Sequence, residues 1–219
     1  MSSATTVDFP VAEVFGKAWG RLLENIGAFL PAMLVTAGVT FAGLALAWVA
    51  STILQMLLGS FLAGLLDGLI TSIVIAALTG PLHLGLFAMA RRVSEGQSVV
   101  WSDVFPSAES VKPAVLASMY YSVMVFLGTM LCVLPGIIFS FLYCLTWVRL
   151  LEGERGAWQA MESGRRMVMD NLVSWLILYL LLFIINGLGM IPCFLGLFVT
   201  VPFSALVLTD AHARQLNRA

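Results

Sequence analysis

Long apolar stretches separated by short polar ones dominate the chain. Between Ile26 and Ala90 the one formally charged residue is Asp67. A membrane-spanning helix needs about 20 apolar residues, so this stretch predicts two spanning helices joined by a tight connection. We place them at about residues 26–57 and 68–92, with the turn at the glycines around Asp67, namely Gly59, Gly64 and Gly68.

The remainder of the chain repeats this pattern twice. Apolar runs of similar length predict four more spans, at about residues 113–134, from a Pro135-Gly136 turn to 150, at 171–187 and at 193–213. Pro113 suits the first turn of its helix because proline has no N–H to donate there. The predicted fold is an all-α polytopic membrane protein with six transmembrane helices, paired as three hairpins over residues 26–92, 113–150 and 171–213.

Two segments outside the spans alternate polar and apolar residues at helical spacing. The first is residues 10–25, predicted as a helix in the headgroup layer with Trp19 at the interface. The second is residues 151–170, with Trp158 towards the membrane, whereas 93–112 is predicted as a loop. The first helix is either a lipid or curvature sensor or a structural collar that sets the angle of the first span. Its nearly balanced charge favours the collar.

The two amphipathic segments align with each other at a constant offset of 146 residues. Glu24-Asn25 then matches Asp170-Asn171, so that an acid–Asn pair precedes a span in both copies. The middle of the chain echoes the pattern weakly, with Pro113 in place of Asn, which predicts a threefold helix-plus-hairpin repeat. The acid–Asn pair is alternatively a simple bend whose side-chain oxygen caps the next helix.

Composition supports the bilayer as the solvent of this protein. Of its 219 residues, 60% are hydrophobic and only 11% are charged, whereas soluble domains are about a quarter charged. The net charge of −1 argues against nucleic acid as a partner. In the six-span arrangement all eleven Lys and Arg residues fall on one side. Because positive charge stays in the cytoplasm, we expect a membrane protein with both termini cytoplasmic.

A few polar groups inside the predicted spans are candidate sites. His83 precedes Arg91 by eight residues, or about 12 Å along a helix, which places it within the hydrocarbon. It is either a proton or ligand site or a neutral imidazole bonded to a neighbouring helix. Pro81 and Pro202 lie in mid-span, where they either kink the helices around a cavity or aid packing. Asp210 is expected to pair at the interface with Arg91, Arg92 or Arg149.

Cysteine and motif content predicts neither a metal site nor a cofactor. Cys132, Cys144 and Cys193 lie in apolar runs without a CxxC pair and are interpreted as small core residues. The sequence contains no HExxH, no GxSxG and no phosphate-binding glycine loop. These observations favour a protein that is not an enzyme.

The motifs of the chain resemble those of a family of bacterial membrane proteins. In the second half a Leu-Pro-Gly opens a span at residues 134–136. An Ala-x-x-x-Ser motif corresponds to residues 160–164, where Gly164 takes the place of the serine and Ser163 comes one position early. A basic pair at residues 165–166 then precedes the next span. In the first half Gly-Pro at 80–81 is followed by Glu-Gly and Ser-Asp-x-Phe. With this pattern the chain resembles a group of bacterial six-span integral membrane proteins. Those proteins are similar to the membrane domain of membrane-anchored glycerophosphoryl diester phosphodiesterases. The resemblance implies a six-span helical fold and no particular activity, since the phosphodiesterase domain is not part of it.

Three functions are compatible with these features. The favoured one is a non-enzymatic inner-membrane scaffold or accessory subunit that self-associates or joins other membrane subunits. The alternative is a small transporter or channel for a lipid-like or apolar solute, with a site near His83, Pro81 and Pro202 in the space between the second, fourth and sixth spans. An intramembrane enzyme is the third. In a lipid-embedded structure a sealed helical core would favour the scaffold, and a wet or lipid-filled cavity between the helices would favour the transporter.

Overall fold

The computed structural model describes residues 11–58, 60–154, 156–191 and 195–216, and regular structure in these ranges is helical throughout. The helices, in chain order, are α1 Val11–Glu24, α2 Ile26–Leu58, α3 Ser60–Ser94, α4 Ala108–Leu131, α5 Val133–Leu142, α6 Thr146–Leu151, α7 Ala157–Asp170, α8 Leu172–Met190 and α9 Leu197–Leu216. A short 3₁₀ turn, Trp101–Val104, lies between α3 and α4. The predicted all-α fold is confirmed.

Five helical segments in the described ranges are long and apolar enough to cross a membrane. They are Ile26–Met56, Leu66–Ser94, Ala108–Leu131, Val133–Leu151 and Leu172–Met190. The last of these segments has a mean hydropathy of 2.2. A polytopic helical membrane protein is the class that such a set of helices indicates.

The helix α9, expected as the sixth span, is not among these five segments. Its C-terminal part carries Asp210, His212, Arg214 and Gln215, which lower its hydropathy. It is nevertheless a central helix, since it packs against α1, α2, α3, α6 and α8 and buries Leu206 and Val207 completely. A sixth span therefore stays a prediction, and its expected start at Cys193 lies outside the described residues.

Two of the predicted turns are wrong. Asp67 lies inside α3, which already begins at Ser60, while Gly59 lies outside the described ranges. The break between α4 and α5 falls at Cys132 instead of Pro135-Gly136. Pro135 is accommodated in the first turn of α5, where its missing N–H leaves no bond unmade.

The predicted start of the third span and the continuity of the fourth also need correction. Pro113 lies inside α4, which begins five residues earlier at Ala108. Because α4 runs through Pro113 without a break, the middle of the chain has no separate amphipathic helix there, unlike the two outer copies. The fourth predicted span is divided into α5 and α6 by a turn at residues 143–145.

The two predicted amphipathic helices are present as α1 and α7, and both have 14 residues. Their first residues and their last residues are each 146 positions apart, the offset of the sequence alignment. The apolar stripe of α1 (Val14, Ala18 and Leu22) is buried, and α1 packs against α9. Pro10, the predicted first-turn residue of α1, lies outside the described residues.

Asn25 and Asn171 each form a one-residue break between an amphipathic helix and the helix that follows. The alternative that they cap the following helix through their side chains is not what the structure shows. Asn171 makes no side-chain cap hydrogen bond to α8, and the Asn25 Nδ2 donates backwards to the carbonyl oxygen of Arg21 at 2.9 Å. The two asparagines therefore act as bends.

Candidate functional site: an intramembrane groove at His83

A groove of about 600 Å³ runs between α3 and α4 and contains His83 at one end. One wall is a stripe of α3 at spacing i, i+3, i+4, i+7 and i+11, formed by Ser72, Ile75, Ala76, Thr79 and His83. The other wall is a stripe of α4 with the same spacing and one more residue at i+8, formed by Ser118, Tyr121, Ser122, Val125, Phe126 and Thr129. Trp147 of α6 closes the His83 end.

Small residues allow the two walls to come together. A Cβ atom at Gly80 would lie 2.3 Å from the Ser118 Oγ and 3.1 Å from the Ala114 carbonyl oxygen, so only glycine fits there. Further along, a Cβ atom at Gly68 would lie 3.0 Å from the Phe126 ring. These two contacts show that α3 and α4 run antiparallel. Each stripe covers twelve residues of helix, or about 16 Å from its first to its last Cα atom.

The His83 imidazole is held in a defined orientation. Its Nδ1 lies 2.9 Å from the carbonyl oxygen of Thr79. The hydrogen-bond partner of this nitrogen therefore belongs to its own helix, whereas a partner on a neighbouring helix was one of the two alternatives predicted. A carbonyl oxygen only accepts hydrogen bonds, so Nδ1 carries the proton, and in the neutral ring Nε2 is an acceptor. The ring stacks on the Trp147 indole with centroids 5.9 Å apart and an interplanar angle of 19°.

Four hydroxyl groups along the groove donate to backbone carbonyls of their own helices. The distances are 2.9 Å from Ser72 to Leu69, 2.9 Å from Thr79 to Ile75, 2.8 Å from Ser118 to Val115 and 2.8 Å from Thr129 to Val125. Each hydroxyl oxygen keeps its acceptor capacity after donating. None of the described side chains lining the groove carries a formal charge.

The predicted location of the cavity was wrong in part. The groove lies between the second and third predicted spans, with only Trp147 from the fourth, and α9 does not line it. Pro81 follows the Gly80 contact on α3 but is not a lining residue, and Pro202 is buried in the core of α9. The expected pairing of these prolines with His83 at one site is therefore not observed.

Asp210 belongs to a different region, the charged end of the helix bundle. Its carboxylate accepts from Arg21 Nη1 at 2.7 and 2.5 Å, and the other terminal nitrogen of Arg21 donates to the Ser94 carbonyl oxygen at 3.1 Å. The Asp210 side chain is only 8% exposed. The expectation that Asp210 pairs with Arg91, Arg92 or Arg149 is wrong, because α1 packs on α9 and brings Arg21 closer.

Arg149 fixes the connection between α6 and α7. It pairs with Glu152, with Glu154 at 3.1 Å and with the Ser163 hydroxyl at 3.1 Å. Glu152 also lies 2.6 Å from the His212 Nε2, which ties this connection to α9. His83, Asp210 and Arg149, singled out together as candidate polar residues, therefore lie in three separate environments.

The charged end contains a second cavity of about 370 Å³. Its lining includes four basic residues and three acidic ones, namely Lys17, Arg21, Arg91, Arg214, Glu95, Glu152 and Asp210. Each of these basic residues already has a carboxylate partner. Glu13 bridges Arg214 and Lys17, and these two cations lower the pKa of Glu13 to about 2. Ion pairs join α1 to α9, and arginine hydrogen bonds to the carbonyl oxygens of Ser94 and Leu151 hold α3 to α1 and α6.

The tryptophans predicted at the interface are half exposed. Trp19 is 48% exposed and packs edge-on against Phe203, with ring centroids 5.9 Å apart. Trp158 is 51% exposed and meets Tyr120 edge-on at 6.4 Å. Both rings thus contact the bundle on one side and present the other side outwards, as amphipathic rings at a bilayer surface do.

Within the described ranges no group of three His, Cys, Asp or Glu side chains is placed to hold a metal ion. Cys144 is partly buried, whereas Cys132 is exposed at the α4–α5 break and is not a core residue. Cys193 lies outside those ranges. Comparison with known proteins finds no matching family model and no significantly matching solved structure. The geometry of the chain itself must therefore support any functional assignment.

Proposed function

We propose that the protein is a non-enzymatic polytopic membrane protein that takes up a lipid-like or apolar solute from the bilayer, as a small transporter or carrier. The α3–α4 groove carries this proposal. It is about 600 Å³ in volume, is lined by uncharged side chains, and contains a histidine held in one tautomer by its own helix. Ligand sites of this size are mostly apolar with a few placed polar groups.

We propose further that the charged end of the bundle faces the cytoplasm of a bacterium, with both termini on that side. Four basic residues from three different helices, Lys17, Arg21, Arg91 and Arg214, line one cavity there. Positive charge next to spans favours the cytoplasmic side. In this orientation the groove begins about 12 Å inside from Arg91, at the level of the hydrocarbon. The resemblance to membrane domains of anchored phosphodiesterases fits this arrangement and stays a proposal.

Filling the groove tests the proposed function. Ala76 lines the groove, whereas Ala45 on α2 is exposed away from it. Ala76→Phe should abolish saturable binding of a photoreactive long-chain lipid analogue to the protein in nanodiscs, and Ala45→Phe should leave it unchanged. Mass-spectrometric mapping should place the crosslink on α3 or α4. Equal labelling of the two variants would overturn the proposal.

The favoured sequence-based function, a self-associating scaffold or accessory subunit, stays a prediction. The groove between α3 and α4 supports the solute-binding alternative, and lipid or water inside it stays to be observed in a lipid-embedded structure. Self-association is compatible with solute binding, so the measurement of oligomeric state described below bears on the scaffold role alone.

A further inference from the structure

We infer that the solute of the α3–α4 groove is a neutral amphiphile with a hydroxyl head group, such as a long-chain alcohol or an acylglycerol. Its hydroxyl donates to the Nε2 of His83 while its chain lies along the groove. This inference rests on the proposed function, because it names the class of ligand for the same site.

The fixed tautomer of His83 determines whether a ligand must be the donor or the acceptor of the hydrogen bond to its Nε2. Nδ1 donates to the Thr79 carbonyl at 2.9 Å, and in a neutral ring this leaves Nε2 as an acceptor. Stacking on Trp147 restricts rotation of the imidazole, so the direction of the lone pair is fixed as well. A ligand that contacts this nitrogen must therefore present an O–H or N–H group.

The absence of charge among the described lining residues excludes ionised head groups. A carboxylate, phosphate or ammonium placed against uncharged walls at membrane depth would lack a counter-charge, and such burial costs several kcal/mol. An alcohol has no such cost. An acylglycerol also carries a second hydroxyl, which can donate to the hydroxyl oxygen of Thr79 or Ser118, and both of these lie within one helical turn of the His83 end.

The shape of the groove orients the ligand. His83 and Trp147 lie at the end nearer to Arg91, and Val125 and Phe126 line the part towards the opposite end. The two stripes are each about 16 Å long, which suits an extended acyl or alkyl chain. The hydroxyl head therefore lies near the charged end of the bundle, and the chain points towards the membrane centre.

Binding of three amphiphiles with the same chain tests this inference. Monododecanoylglycerol, dodecanoate and dodecylamine are titrated onto the detergent-purified full chain, at a pH where the last two are charged, and occupancy is measured by native mass spectrometry. We expect the glycerol ester to bind at one site at least tenfold more tightly than either charged compound. His83→Phe keeps an aromatic ring but removes the acceptor, and should weaken ester binding roughly fivefold to tenfold, the value of one hydrogen bond. His83→Gln retains an acceptor oxygen and should restore most of the affinity.

The outcomes separate the two proposals. One outcome is that all three amphiphiles bind equally well, that His83→Phe does not weaken ester binding, and that Ala76→Phe still blocks labelling by the lipid analogue. In that case the proposed hydroxyl head group is wrong, and the groove remains a site for apolar chains. If none of the amphiphiles binds and Ala76→Phe changes nothing, the proposed function itself fails. The unfolding temperature of each variant without ligand shows whether it is folded.

Discussion

Arg21 and Asp210 are 189 positions apart in the sequence, and the Arg21 Nη1 lies 2.7 and 2.5 Å from the two carboxylate oxygens of Asp210. The pair joins the amphipathic helix α1 to the central helix α9, and the Ser94 carbonyl adds the end of α3. The carboxylate is the more buried partner, at 8% exposure against 31% for the guanidinium. A carboxylate buried to this extent destabilises the folded protein when its counter-charge is removed.

Removal of the guanidinium should destabilise the protein markedly. Arg21→Met leaves the Asp210 carboxylate buried without its counter-charge, which costs about 3 kcal/mol. The thermal unfolding midpoint in detergent should fall accordingly. Lys17→Met is the matched control, because the Lys17–Glu13 pair is about half exposed, at 55% and 50%, and such pairs contribute less than about 1 kcal/mol. The double variant Arg21→Met/Asp210→Leu should recover much of the loss, and failure to do so would contradict the pairing.

Gly85 should not tolerate a side chain. A Cβ atom there would lie 1.7 Å from the carbonyl oxygen of Val104, whose side chain is fully buried where the 3₁₀ turn packs on α3. Because the obstacle is backbone, Gly85→Ala must displace the turn, and we expect a loss of about 1–3 kcal/mol in the free energy of unfolding. Gly16→Ala in α1 has no neighbour within 4 Å and should stabilise the helix slightly. A neutral Gly85→Ala would show that the turn does not pack here.

Acid should weaken α7 through Glu162. Hydrogen bonds from Arg165 and Arg166 lower the pKa of Glu162 from 4.5 to about 2. A carboxylate whose pKa is depressed on folding stabilises the folded state above its unfolded pKa, and this contribution is lost as the pH falls through the folded value. The difference in unfolding temperature between the native protein and Glu162→Gln should therefore shrink between pH 4.5 and about 2. A constant difference across this range would contradict the shift.

The proposed orientation predicts that the C-terminus lies on the cytoplasmic side of the membrane and the break between α4 and α5 on the opposite side. A reporter fused after Ala219 should be active only in the form that reports a cytoplasmic position, because the basic residues are gathered at the charged end. A reporter inserted at Cys132, the exposed break between α4 and α5, should report the opposite side. The same signal from both fusions would refute the proposed topology.

Self-association can be tested at Gly64. This residue is exposed on α3 and has no neighbour within 4 Å of an added Cβ, although Ser60-x-x-x-Gly64 is spaced for close helix packing. If copies of the chain meet there, the purified protein is an oligomer by light scattering and Gly64→Leu dissociates it. Gly38→Leu on α2, equally free of neighbours, should not. A monomer without a co-purifying partner would count against the scaffold role.

The elements that were predictable from the sequence are those with a local signal. The apolar stripe of α1 and the two acid–Asn pairs are patterns of residues close together in the sequence. Both α1 and α7 end at the acidic residue of their pair, as these patterns predict. Asp67 lies in α3 and not in a turn, because one acid among glycines fits a turn and a partly buried helical position equally well. The interruption at Cys132 has no local signal as strong as that of the neighbouring Pro135-Gly136, so the sequence predicts the turn at this dipeptide instead.

The groove was only half predictable. His83 was singled out because an ionisable group in an apolar span is costly. The hydroxyl stripe of α4, beginning at Ser118, was not singled out, although its spacing of i, i+3, i+4 and i+11 is readable in the sequence. What the sequence does not contain is which stripes face each other. The contact of Gly80 with Ser118 decides that, and the two residues are 38 positions apart.

The central position of α9 has a consequence for biosynthesis. At ribosomal rates of 5–20 residues per second, roughly 10 to 40 s separate the synthesis of Arg21 from that of Asp210. During that interval the N-terminal helix has neither the carboxylate nor the apolar surface of α9 on which it later packs. The contacts of α1 with α9 therefore form only after α9 has been synthesised, and a chain truncated before residue 197 lacks the helix on which α1 packs.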